Sequence, residues 1–151
     1  MKWAAERNPE GVALYISVRA QAPQNTDDAD HRVGFFVGLL PEQDEIASPL
    51  AALALYSWRE QVHVGHGDTI PADEPLWTGT TMSRFLILRA KRTVVPTYVA
   101  PEGFHVQFLQ AIPIYQSEIS FKKREGTDAL LDRWEAMNTP FWDSHRQDSD
   151  L

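Results

Sequence analysis

The sequence predicts an α+β fold, a two-layer domain in which a mostly antiparallel or mixed sheet packs against about three helices. Three observations carry this. Five strand-like segments come in adjacent runs joined by short turns, and three stretches bear helix caps or apolar residues at helical spacing. Regular strand–helix alternation and a glycine-rich phosphate loop, which a doubly wound nucleotide fold needs, do not occur. The chain has 151 residues, the length of one ordinary domain, and 43% of them are hydrophobic, enough for a core without staples.

The elements follow in order. In "GVALYISVRA", Val12, Leu14, Ile16 and Val18 alternate with Ala13, Tyr15, Ser17 and Arg19, the pattern of a half-buried strand. "QAPQNTDDADHR" lacks periodicity and is rich in turn formers, so it reads as a loop. "VGFFVGLLP" is a nearly continuous apolar run, a strand buried on both faces and ended by Pro41. Ser48 followed by Pro49 is a helix start. Leu50, Leu53, Ala54, Trp58 and Val62 then form one apolar stripe, and Gly65 lies just beyond the helix.

"GHGDTIPADEPLWTG" reads as an irregular connection and "SRFLILRA" as the next strand. "TVVPTYVAPEGFHVQFLQAIPIY" holds a strand, a turn at "APEG" and a second strand from Phe104 to Ile114. Ser117 is expected to cap a helix that Gly126 stops. A last helix is expected from Thr127 to about Asn138, with Leu130, Leu131, Trp134 and Met137 turned inward and Pro140 ending it. Residues 1–142 thus form one domain, and 143–151 a polar tail expected to fray.

Composition narrows the function classes. The absence of cysteine excludes a disulfide framework, a thiolate metal site and cysteine nucleophile chemistry. With 21 acidic and 14 basic residues the net charge is −7, which repels phosphate backbones and suits a basic protein partner. The polar start "MKWAAERNPEG" does not read as a secretory leader, and no apolar run reaches the length of a membrane span. A soluble cytoplasmic protein is expected, with no nucleic-acid or membrane partner and no cofactor.

His63, His66 and Asp68 are the right ligand types for zinc, and a metal-dependent hydrolase could be built on them. Gly65 and Gly67 interleave the histidines and argue for a turn instead. No G-x-S-x-G elbow occurs. The carboxylate clusters (Asp27, Asp28 and Asp30; Glu42, Asp44 and Glu45; Asp73 and Glu74) fall in predicted loops, where a pocket to shift their pKa is rare. No catalytic residue is assigned. The same clusters read as a contact surface for a partner's arginines and lysines, together with His66 and Asp68. Trp77 or Tyr98 are candidate aromatic anchors, whereas Trp58 and Trp134 are placed in the core by their helical stripes.

"GHGDTIP", "RFLIL" and "GFHVQFLQAIPIYQSEISFKKREGTDALLDRW" together resemble the Suppressor of fused family in its short bacterial form. Gln107, Phe108, Leu109, Ile112, Pro113, Ile114, Tyr115, Glu118, Gly126, Ala129, Leu130 and Leu131 stand where the family pattern has them. Pro49 and Leu50 fit its proline-led helix start. The resemblance spans residues 30–142, with two departures. Asp68 stands where the family loop has histidine, and the N-terminal segment that other members carry is expected to be missing or replaced by "MKWAAERNPEG".

The resemblance implies a mixed α/β domain that binds another protein. Animal members restrain a transcription factor, and bacterial members look like immunity proteins encoded beside toxins of polymorphic or type VI secretion systems. The expectation is therefore a non-enzymatic immunity protein of interbacterial competition that neutralises a cognate toxin by stoichiometric binding. The alternative is an adaptor or scaffold for a cellular protein. The toxin's identity and the oligomeric state are not legible in the sequence.

Overall fold

The computed structural model describes residues 1–17 and 31–151. Its elements are β1 (Lys2–Trp3), β2 (Ala13–Ile16), β3 (His31–Leu39), α1 (Ala47–Glu60), β4 (Thr69–Pro71), β5 (Arg84–Leu88), β6 (Tyr98–Val99), β7 (His105–Ile114), α2 (Gln116–Glu125) and α3 (Thr127–Ala136). The class is α+β with a mixed, mostly antiparallel seven-stranded sheet and three helices, as expected. The sheet order is β1-β2-β3-β7-β5-β4. β7 is its spine. It runs parallel to β3, with Phe35 opposite Leu109, and on its other edge pairs antiparallel with β5 and with β6. Its ten residues include the apolar run of "AIPI", all four buried, because neighbours and helices enclose it there on both faces.

Alternation within the strands sorts side chains between the two faces. Phe35, Val37, Phe85, Ile87, Leu109 and Ala111 point to the face that α1 covers with Leu50, Leu53 and Ala54. Leu86, Leu88, Ile112 and Ile114 point the other way, onto Ile119 of α2 and Leu130 and Trp134 of α3. Each buried valine, leucine, isoleucine or phenylalanine among these contributes about 1.5–3 kcal/mol relative to exposure. Leu14, Ile16 and Phe36 form a smaller cluster with Val94 and Val95.

Local signals held with small shifts, except that β2, expected to be half-buried, is buried at all four residues, on both faces of the sheet. A single 3₁₀ turn, Asp44–Ile46, runs straight into α1, so the helix begins at Ala47 and Ser48 lies inside its first turn. Ser117 does not cap α2; Tyr115 does, and its N–H donates to the Glu118 carboxylate at 2.8 Å. Gly126 stops α2 and opens α3 at φ 96°, a conformation that L side chains resist. "TIP", read as irregular, is the edge strand β4, and the expected strand before "APEG" shrinks to Tyr98–Val99.

Three placements are corrected. Trp58 is 55% exposed and Val62 44%, although both were expected in the α1 stripe. At about 100° per residue Trp58 lies ~80° round from Leu50, off the face that the sheet covers, and Val62 lies beyond the helix, where Gln61 turns the chain left-handed at φ 58°. Met137, 47% exposed, stands just past the end of α3, where Asn138 turns the chain at φ 50°.

The tail is not frayed. Asp143 bridges to Leu40, and the Ser144 hydroxyl donates to the Pro41 carbonyl at 2.7 Å. Arg146 then inserts between the rings of Tyr115 and Trp134. Its guanidinium donates to both oxygens of Glu118, at 2.7 and 2.9 Å, and to the Pro113 carbonyl at 2.9 Å. Both partners are buried. Sequence polarity pointed the other way because a charged residue is ordinarily solvated unless a counter-charge waits inside.

Removing one member of such a pair strands a buried charge. Arg146→Ala is expected to lower stability by about 3–5 kcal/mol. His145→Ala, next door but exposed, should stay within about 0.5 kcal/mol. Urea unfolding midpoints measure both.

Candidate functional site

A concavity of about 620 Å³ lies between one flank of α1 and the arm formed by residues 71–80. The arm follows the edge strand β4 and is held back to the sheet by backbone bonds from Ala72 to Ser83 and from Leu76 to Met82, at 2.8 and 2.9 Å. At its far end Glu45, in the 3₁₀ turn before α1, accepts from the N–H and hydroxyl of Thr78 at 3.1 and 2.9 Å. This clamp closes one end of the cleft. Leu53, Phe85 and Trp77 supply apolar wall, and Ser48, Ala52, Tyr56 and Arg59 line the helix side.

The cleft is acidic. Glu45, Asp73 and Glu74 line it against Arg59, whose guanidinium already pairs with Glu60 at 3.3 Å. Asp73 and Glu74 are exposed and make no hydrogen bond or ion pair among the described residues. Two open carboxylates beside apolar and aromatic surface can hold a cationic side chain while its aliphatic stem packs on the wall.

Four of the residues singled out by sequence meet here: Glu45, Asp73, Glu74 and Trp77. Trp77 is 5% exposed and forms wall rather than a projecting anchor. Glu42 and Asp44 face elsewhere and are occupied: both pair with Lys2, and Asp44 also accepts from the Tyr15 hydroxyl at 2.8 Å. Asp27, Asp28 and Asp30 lie outside the described residues. Tyr98, the other candidate anchor, is 53% exposed on β6. The helix flank of Ser48, Ala52, Tyr56 and Arg59 was not singled out, although its spacing of four, four and three marks one helix side.

"GHGDTIP" is a tied turn. The Asp68 carboxylate accepts the Gly65 N–H at 2.8 Å, and His66 Nδ1 accepts the Arg89 N–H at 3.0 Å. The backbone of Gly67 and Asp68 continues the ladder with Ile87. Lys122 of α2 donates to Thr69 at 3.0 Å, and burial lowers its pKa. Among the described residues no three His, Asp or Glu side chains gather to hold a metal ion. His66 and Asp68 thus fix the loop that delivers β4 and the arm.

The family model for Suppressor of fused protein (SUFU) matches residues 5–147. The chain belongs to the Suppressor of fused family. Its fold is similar to that in a crystal structure of a Sufu–Fu complex, at 17% identity and a TM-score of 0.68, covering 92% of this chain and 70% of that one. It is likewise similar to a SUFU homolog from Neisseria gonorrhoeae FA 1090, at 21% identity and a TM-score of 0.67, covering 91% and 70%. Against Drosophila Suppressor of Fused the values are 16% and 0.64, covering 92% of this chain and 39% of that one. At such identities the likeness speaks for the fold. No curated protein matched the chain. Among the described residues of this SUFU-family chain, no helix is long and apolar enough to cross a membrane.

Two tests follow. Gly67 has φ 89°, and a Cβ there would meet Thr127 Oγ1 at 3.1 Å. Gly67→Ala should therefore cost about 1–3 kcal/mol in thermal unfolding. Hydrogen bonds from Lys2 and then Tyr15 lower the pKa of Asp44. Its contribution to stability is thus present above the unfolded carboxylate pKa and is lost as pH falls through the lowered folded value. The stability gap between the unmodified chain and Asp44→Asn should close over that acidic range, and acid titrations of both measure it.

Proposed function

We propose that this SUFU-family chain works by stoichiometric binding of a protein partner in the acidic cleft, and that it is a bacterial immunity protein whose partner is a basic toxin. The observation that carries the binding site is the cleft itself, with two open carboxylates on its rim and apolar and aromatic wall behind them. The net charge of −7 supports a basic partner, drawn in by long-range attraction. The family pattern supports a binding role over catalysis. The Glu45 carboxylate is held by Thr78, as a structural clamp would be, rather than aimed at a substrate. In this reading the partner segment lies along the arm, places an arginine or lysine against Asp73 and Glu74, and loses access to its own substrate.

A second reading, an adaptor for a cellular protein, is favoured by one finding: a solved relative is a Sufu–Fu complex. Pull-down with the product of the neighbouring reading frame, followed by growth rescue in cells expressing that product, separates the two. Capture together with rescue supports immunity; capture without rescue supports the adaptor; no capture removes the immunity reading.

The double reversal Asp73→Lys with Glu74→Lys should slow association with the captured partner about tenfold or more at low salt, and the difference should shrink as salt rises. Stopped-flow association rates measure this. Reversing Asp27, Asp28 and Asp30, which remain part of the proposed contact surface, should weaken protection while unfolding stability is unchanged. Unaltered protection takes that segment out of the interface.

A further inference from the structure

At the N-terminal ends of the two parallel central strands, His31 of β3 stands in register with His105 of β7. Paired residues of parallel strands project to the same face, about 4.8 Å apart. Gln107, two residues further along β7, shares that face. The His31 ring is turned across the strands, with its Nε2 3.3 Å from Gln107 Oε1. That separation is long for a hydrogen bond of this type. It matches the spacing of about 3.3 Å between two donors that share one tetrahedral ion at bond lengths near 2.0 Å.

We propose that His31 and His105, with the Gln107 amide oxygen, form a binding site for a late first-row divalent ion such as zinc, copper or nickel. Two imidazoles select these ions over magnesium or calcium, which prefer all-oxygen shells. Arg32, next to His31 in sequence, does not compete. It belongs to the opposite face of the sheet, where its guanidinium lies over the Phe104 ring at 3.7 Å from the centroid. Among the described residues the site is open: His105 and Val99, its register partner on β6, are both exposed, so water completes the shell and the ion exchanges readily. It is separate from the histidine pair of "GHGDTIP", where His66 Nδ1 is committed to the Arg89 N–H. It is also independent of the partner proposed for the cleft.

The test is isothermal titration of the untagged full chain with zinc, nickel and copper chlorides near neutral pH. One ion per chain is expected, with affinity reduced at least tenfold in His31→Ala and in His105→Ala, less in Gln107→Leu, and unchanged in His63→Ala and His66→Ala. Since a strand substitution can disturb folding, the unmodified chain supplies a second readout. Substoichiometric copper should broaden the ring proton signals of His31 and His105 ahead of those of His63, His66 and His145. Absence of saturable binding, binding that survives both His31→Ala and His105→Ala, or copper broadening that begins at His63 or His66 overturns the site.

Discussion

The structure hangs on a carboxylate with no solvent exposure. Glu118 accepts from Arg146 through both oxygens, from the Tyr115 N–H, from the Trp134 indole at 3.2 Å and from the Ser149 hydroxyl at 2.8 Å. Taking a charge out of water costs several kcal/mol, and it persists only where donors and a counter-charge converge. Tyr115 at the end of β7, Trp134 on the inward face of α3, and Arg146 and Ser149 in the tail supply the donors, and Glu118 itself stands in the first turn of α2. One buried charge therefore dictates how four segments meet. It also explains why Arg146, polar by sequence, is a core residue.

From that junction the order propagates through β7. The strand leads directly into Tyr115 and α2, so anchoring Glu118 fixes the C-terminal end of β7, and β7 sets the register of β3 on one edge and of β5 and β6 on the other. β5 in turn carries β4, and β4 carries the arm that bounds the cleft. The cleft is thus a consequence of sheet order. An edge strand, a loop tied by Asp68 and His66, and the Glu45 clamp hold the arm away from α1 at a set distance. The concavity stays open because its walls are attached to different elements.

The electrostatics divide the acidic residues by use. Lys2 takes Glu42 and Asp44, and the same cluster, through burial first and then the bond to Asp44, pushes the Tyr15 hydroxyl up to about 12. Thr78 takes Glu45. Among the described residues Asp73 and Glu74 are left open on the cleft rim, and those are the charges that the proposed partner would meet. Similar residues in similar loops end in different roles because only spatial neighbours determine which carboxylates are already satisfied.

Local physics was enough for much of this. Alternation in "ALYI", the apolar runs of "GFFVGL" and "RFLIL", and Gly126 between two helical stretches need no distant partner to be legible, since strand period, burial and left-handed backbone are short-range properties. The ordered block from Gln107 to Leu131 marked the family for the same reason. Other features are decided by contacts far apart in sequence. Trp58 leaves the core although it fits a helical stripe, because the sheet covers only part of that helix. Trp77 becomes wall because β4 and α1 bracket it. Arg146 enters the interior because Glu118, 28 residues earlier, is already there. His31 and His105 become neighbours only once β3 and β7 pair in parallel. Sequence determines what each segment prefers; which groups find a partner, and which remain open to bind something else, is settled only when the segments meet.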